Sequence, residues 1–77
     1  MKLISTLRNR ETQEETVQTL SDNCTIGQAL TIIENWCHDS NANYPSIESL
    51  YKIYDYICVD VRTKDGKYVN FFEIKNK

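Results

Sequence analysis

The sequence predicts a small α+β domain: an antiparallel sheet of about four strands, in the chain order ββα(α)ββ, with one main helix packed on one face. Three observations predict it. Residues 25–37 carry apolar side chains at helical spacing behind a capping signal. Short β-branched runs stand near both ends of the chain. An Asp-Gly pair separates the last two apolar runs, as in a hairpin.

The opening KLISTLR alternates Leu3, Ser5 and Leu7 with Ile4, Thr6 and Arg8, which suits a strand with two unlike faces. Leu3, Ile4 and Leu7 also fit helical spacing, but the Thr- and Val-rich segment TVQTL that follows favours a hairpin. The polar NRETQEE between them is its loop. Thr25-Ile26-Gly27-Gln28 fits a capping box, in which Thr25 caps the Gln28 amide and Gln28 reaches back. Ile26, Ala29, Leu30, Ile33 and Cys37 then form one apolar stripe, and the polar run His38-Asp39-Ser40-Asn41 ends the helix. Beyond Tyr44-Pro45, residues Ile47, Leu50, Tyr51 and Tyr54 repeat at helical spacing and predict a short second helix.

ICVDVRT and KYVNFFEI form the closing hairpin around Lys64-Asp65-Gly66. A two-residue turn places Val61 opposite Asn70 and Arg62 opposite Val69. A bulged three-residue turn, with Gly66 left-handed, pairs Thr63 with Lys67, Val61 with Val69 and Val59 with Phe71. The bulged register makes one face wholly aliphatic and aromatic over its central rungs, so it is the expected one. It assigns Tyr56, Cys58, Asp60, Arg62, Tyr68, Asn70 and Phe72 to the opposite face.

Length bounds function. Residues 1–77 make a single domain, which buries only about 60% of the surface its unfolded chain exposes. A drug-sized cavity of about 300 Å³ or more would hollow out such a core, so a shallow working surface is expected. No apolar run is long enough to span a membrane. The N-terminal apolar stretch stops at Leu7, short of a secretory signal core. Cys24, Cys37 and Cys58 are odd in number and form no CxxC, which reads as a reduced, cytoplasmic chain. The net charge is −2, and acidic residues gather in the middle: Asp22, Glu34, Asp39, Glu48, Asp55 and Asp60 stand against Lys52 alone.

The stretch ENWCHD, Glu34 to Asp39, holds the lone Trp and the lone His beside a Cys and two carboxylates. Helical rotation separates them. With Ile26 at zero, Cys37 falls at about 20°, His38 at about 120° and Asp39 at about 220°. A nucleophile needs its base within hydrogen-bond reach, which this spread denies. Glu34 and His38 lie one turn apart, but zinc needs three or four ligands and no second His exists. No metal and no cofactor is expected. Phosphate-loop, GxSxG and HExxH motifs are absent, and the expectation is a protein that is not an enzyme.

Trp36 lies at about −80°, one turn after Ile32, and the pair widens the apolar arc beyond what one sheet face needs. The second helix covers that arc in one reading; an exposed anchor is the other. Five tyrosines are many for so small a core. The expected partner-binding surface therefore combines Trp36, Tyr51, Tyr54 and Tyr56 with Asp39, Glu48, Asp55 and Asp60. An acidic, aromatic surface attracts a protein partner with a basic surface, of which a nucleic-acid-binding protein is the expected instance. The expected function is a protein-binding inhibitor or accessory factor, with a phage- or mobile-element-type antagonist of a host nuclease as the concrete instance. Two alternatives stand beside it. One is a nucleic-acid-binding regulator using Arg62, Lys64, Lys67 and Tyr68; KYVNFFEI is similar in aromatic spacing to an RNA-recognition strand but lacks its glycines, and its acidic surroundings repel phosphate. The other is a structural homodimer joined through Trp36 or an edge strand.

Overall fold

The computed structural model describes residues 1–43 and 56–76, without the side chain of Tyr56. Two hairpins flank one helix: β1 (Lys2–Asn9) and β2 (Glu15–Ser21), α1 (Ile26–Asp39), then β3 (Tyr56–Arg62) and β4 (Tyr68–Lys75). The four strands form one sheet in the order β2-β1-β4-β3, antiparallel throughout. The expected fold class is observed, and β1 and β4 meet at the centre although they lie at opposite ends of the chain. The second helix expected over Ile47–Tyr54 falls outside the described residues.

Local chemistry accounts for each element. The first hairpin turns through Asn9, whose carboxamide oxygen accepts from the Glu11 and Thr12 amides at 2.9 and 3.2 Å. The capping box of α1 forms as the sequence predicts: the Gln28 amide donates to Thr25 Oγ1 at 3.1 Å and the Thr25 amide to Gln28 Oε1 at 2.9 Å. Asn41 ends the helix in the left-handed region (φ 54°), and the Ala42 amide returns to the Cys37 carbonyl at 2.8 Å.

The core lies between α1 and one sheet face. Ala29, Ile33 and Cys37 from the helix meet Leu3, Phe72, Ile74, Ile57, Val59 and Val61. Between Leu3 and Ile4 the β1–β2 register shifts, leaving Leu20 as an extra residue that packs partly buried on this core.

The second hairpin corrects the sequence reading. Four residues, Lys64–Lys67, make the loop, and Thr63 stands opposite Tyr68, its amide donating to the Tyr68 carbonyl at 3.1 Å. Gly66 is left-handed as expected (φ 76°), but the pairing is Val61 with Asn70, Val59 with Phe72 and Ile57 with Ile74. Asn70 and Phe72 therefore face the helix with Tyr68, while Val69 and Phe71 take the outer face. Two interactions favour this register. Phe72, fully buried, meets Trp36 in a T-shaped contact, 5.6 Å between ring centroids. Asn70, equally buried, accepts a 2.7 Å hydrogen bond from Ser5 Oγ on β1. Asp65 pins the loop, accepting from Thr63 Oγ1 at 2.6 Å and from the Lys67 amide at 2.9 Å.

The adjacent phenylalanines test the register. Phe72→Ala is expected to cost about 3–5 kcal/mol, enough to unfold much of so small a domain. Phe71→Ala is expected to cost about 1 kcal/mol. Urea unfolding followed by circular dichroism checks this; a larger loss for Phe71→Ala than for Phe72→Ala would restore the bulged register.

Candidate partner-binding cleft

The ENWCHD stretch behaves as helical rotation dictates. Cys37 is buried in the core at 2% exposure, whereas the His38 and Asp39 side chains are 90% and 81% exposed, with Nδ1 and Oδ1 3.5 Å apart. Burial, and then the charge of Glu34, pushes the Cys37 thiol above its ordinary pKa, the reverse of an activated nucleophile. Cys24 is buried, Cys58 is exposed, and no disulfide joins the three. Among the described residues no cluster of three His, Cys, Asp or Glu side chains could hold a metal ion.

The expected partner surface is only partly in view. Glu48, Tyr51, Tyr54 and Asp55, and the side chain of Tyr56, lie outside the described residues. Asp39 is exposed at the end of α1. Asp60 is exposed on β3 between the inward Val59 and Val61, so it points away from the helix and shares no surface with Asp39. Trp36 is partly buried: one part of its ring abuts Phe72 and another lines a cleft. The basic set splits likewise. Tyr68 is on the helix side of the sheet, opposite Thr63, while Arg62 is exposed on the outer side.

Two depressions flank the helix along its Gln28, Ile32 and Trp36 side. The wider, about 760 Å³, opens between the end of β2 at Ser21 and the first turns of α1. The second, about 330 Å³, sits at the other end of the helix. Leu7 and Tyr68 come from the sheet, Trp36 and Ser40 from the end of α1, and Thr63 and Asp65 from the hairpin loop. Sequence reasoning chose Trp36 and missed this company. The signal was the hairpin register, which turns Tyr68 to the side of Leu7.

The cleft combines two aromatic rings with a carboxylate. Tyr68 is 38% exposed and available to a ligand. The Thr63 hydroxyl and then the Lys67 amide hold the Asp65 carboxyl below its ordinary pKa, so it stays ionised at neutral pH. The cleft thus sets an indole and a phenol beside an ionised carboxylate. Lys64 and Lys67 are exposed beside it but line no part of it. No protein family model matches this chain, and no curated protein or solved structure does either.

Two outcomes follow from these environments. With a thiol reagent at pH 8, Cys58 is expected to react at once and Cys24 and Cys37 only on unfolding, as mass spectrometry of peptides would resolve; rapid labelling of Cys37 would refute its burial. Asp65→Asn is expected to destabilise the protein at neutral pH. Because the folded pKa is depressed, wild type holds its advantage above about pH 4 and loses it as pH falls through the folded value. Denaturation of both proteins across pH 2–7 measures the gap; a constant gap would show that the charge plays no part.

Proposed function

We propose that the protein is a non-enzymatic protein-binding module that receives a cationic side chain of a basic partner in the Trp36–Tyr68–Asp65 cleft. The observation that carries this reading is the convergence of an indole, a phenol and an ionised carboxylate on one depression of about 330 Å³. An Arg or Lys side chain satisfies all three, by cation–π contact with the rings and by charge pairing at Asp65. Glu34 and Asp39 extend the negative field along the exposed side of α1, and the sequence holds no Lys or Arg from Glu11 to Tyr51. Opposite fields steer a basic surface toward this side of the molecule. The buried, weakly acidic Cys37 and the solvent-directed His38 support a role in contact rather than catalysis.

In this reading the protein is a small inhibitor or accessory factor. The surface it occludes is the basic, nucleic-acid-handling face of another protein, such as a host nuclease targeted by a phage or mobile element. Occlusion suits a flat, shallow binder of this size, since a cleft that admits one side chain anchors a larger contact around it.

Capture from lysate on immobilised protein at low and high salt tests the reading. Recovered partners are expected to be basic and to be released by salt. Tyr68→Ala and Asp65→Asn are each expected to weaken capture by about 2- to 30-fold. Trp36, the lone indole, reports occupancy by fluorescence when an Arg-rich peptide is titrated in. Partners that are all acidic, or capture indifferent to both salt and Tyr68→Ala, would overturn it.

A further inference from the structure

The sheet has two edges, β2 and β3, and they are finished differently. At its Thr63 end the β3 edge is closed by the chain that leaves α1: Ala42 bridges to Thr63, and the Lys64 amide donates to the Asn41 carbonyl at 2.9 Å. The exposed side chains of Asp60 and Arg62 also charge that strand. Among the described residues β2 pairs with β1 alone. It reads Glu-Thr-Val-Gln-Thr-Leu-Ser, without Pro, Gly, Lys or Arg, and is exposed from Glu15 to Thr19. Charged side chains, prolines and short length are the usual protections of an edge; among the described residues β2 has only the single charge of Glu15 and the bulge at its Ser21 end. Val17 is 68% exposed.

The ladder defines which groups the edge offers. The Asn9 amide donates to the Glu14 carbonyl at 2.9 Å, so these two form a hydrogen-bonded pair. Antiparallel pairs alternate, so Thr16 and Gln18 bond inward to β1, while Glu15, Val17 and Thr19 turn their N–H and C=O groups away from it.

We infer that β2 pairs antiparallel with β2 of a second copy of this chain, about a two-fold axis through Val17. In that register Val17 meets Val17 of the other copy, and Glu15 meets Thr19. Each outward group finds a partner, giving about six backbone hydrogen bonds across the axis. Charge favours the arrangement. Glu15 is the sole charge of the strand and is already ion-paired with Arg8 at 2.6 Å. The axis sends the two Glu15 side chains to opposite ends, about 14 Å apart, beyond the screening length of physiological salt. No like charges face each other, and the one rung shared by both copies is a β-branched pair of the kind strands favour. A lysine at that rung would be opposed by itself, which makes the site of the axis testable. β2 lends no residue to the aromatic cleft, so this inference stands apart from the cleft reading.

Sedimentation equilibrium across a dilution series, with amide hydrogen exchange by NMR, provides the test. Wild type is expected to show a monomer–dimer equilibrium, with the Glu15, Val17 and Thr19 amides exchanging more slowly as concentration rises. Val17→Lys is expected to weaken the dimer by about tenfold or more. It should keep the monomer's circular dichroism, because Val17 lies outside the core. Thr16→Lys, on the same strand but bonded inward, is expected to weaken it less. A protein monomeric to millimolar concentration overturns the inference. So does a dimer that survives Val17→Lys unchanged, or one that protects a different set of amides.

Discussion

β1 and β4 pair over eight positions, from Lys2 opposite Lys75 to Asn9 opposite Tyr68, and the rest of the molecule is arranged around that seam. It joins the two ends of the chain. Without it the protein is two separate hairpins, each marginal in water, and a helix with no floor to pack on. With it, Leu3, Phe72 and Ile74 become a continuous buried surface beneath Ala29, Ile33 and Cys37. Hydrogen bonds beyond the ladder tie one end of β1 to the segment before α1 and extend the seam at the other. The Met1 ammonium and carbonyl exchange hydrogen bonds with Cys24 at 2.7 and 2.8 Å, and the Arg10 amide donates to the Lys67 carbonyl at 2.8 Å. Long-range closure of this kind is slow, because the loop entropy is lost before the contacts repay it. The capped helix and the local hairpins lower that cost by forming within short stretches of chain.

Within the seam, the Ser5–Asn70 hydrogen bond sets the register. Slipping β4 by one residue sends Asn70 and Phe72 to the outer face and brings Val69 and Phe71 in. Over the central rungs that alternative sets Val61 against Val69 and Val59 against Phe71, which is why periodicity alone chooses it, although it also turns Glu73 inward in place of Ile74. What it omits is a partner on another strand. A buried carboxamide is costly when unpaired and specific when paired. Ser5, more than sixty residues earlier in the chain, supplies the pairing that makes Asn70 an inward residue.

The helix was legible because its determinants are local: a capping box, a stripe and a polar stop all lie within residues 25–41. Both hairpins were legible for the same reason, through alternation and turn residues. The register of the second was not, since a Thr-Asp side-chain network and a distant Ser decide it. The cleft follows the same division. Trp36 stood out through its angle on the helix, while Leu7, Thr63, Asp65 and Tyr68 come together only once the seam has closed. The separation of Cys37 from His38 and Asp39 needed only the rotation of successive helical residues. Asp39 and Asp60, expected on one acidic surface, stand apart, because strand alternation puts Asp60 on the side of the sheet away from the helix.

The cleft and the open edge have a geometric relation that neither has alone. A two-fold axis through an antiparallel edge pair runs perpendicular to the sheet, so it keeps each sheet face on its own side. Both helices then lie on one side of the joined sheet, and both aromatic clefts open toward it. A dimer built through β2 would offer a partner two of the proposed cation sites on a common face, at a spacing fixed by strands rather than by a flexible linker. Each site by itself is small and solvent-accessible, and contacts of that kind bind weakly. Coupling two of them makes the second capture intramolecular, which can raise avidity by about 10²–10⁴ without any new contact. The gain exists only for a partner whose basic groups recur at the matching distance. Extended basic surfaces that follow a nucleic-acid backbone have such repetition, while an isolated lysine on an ordinary protein does not. Pairing through β2 would therefore supply the selectivity that one shallow cleft lacks.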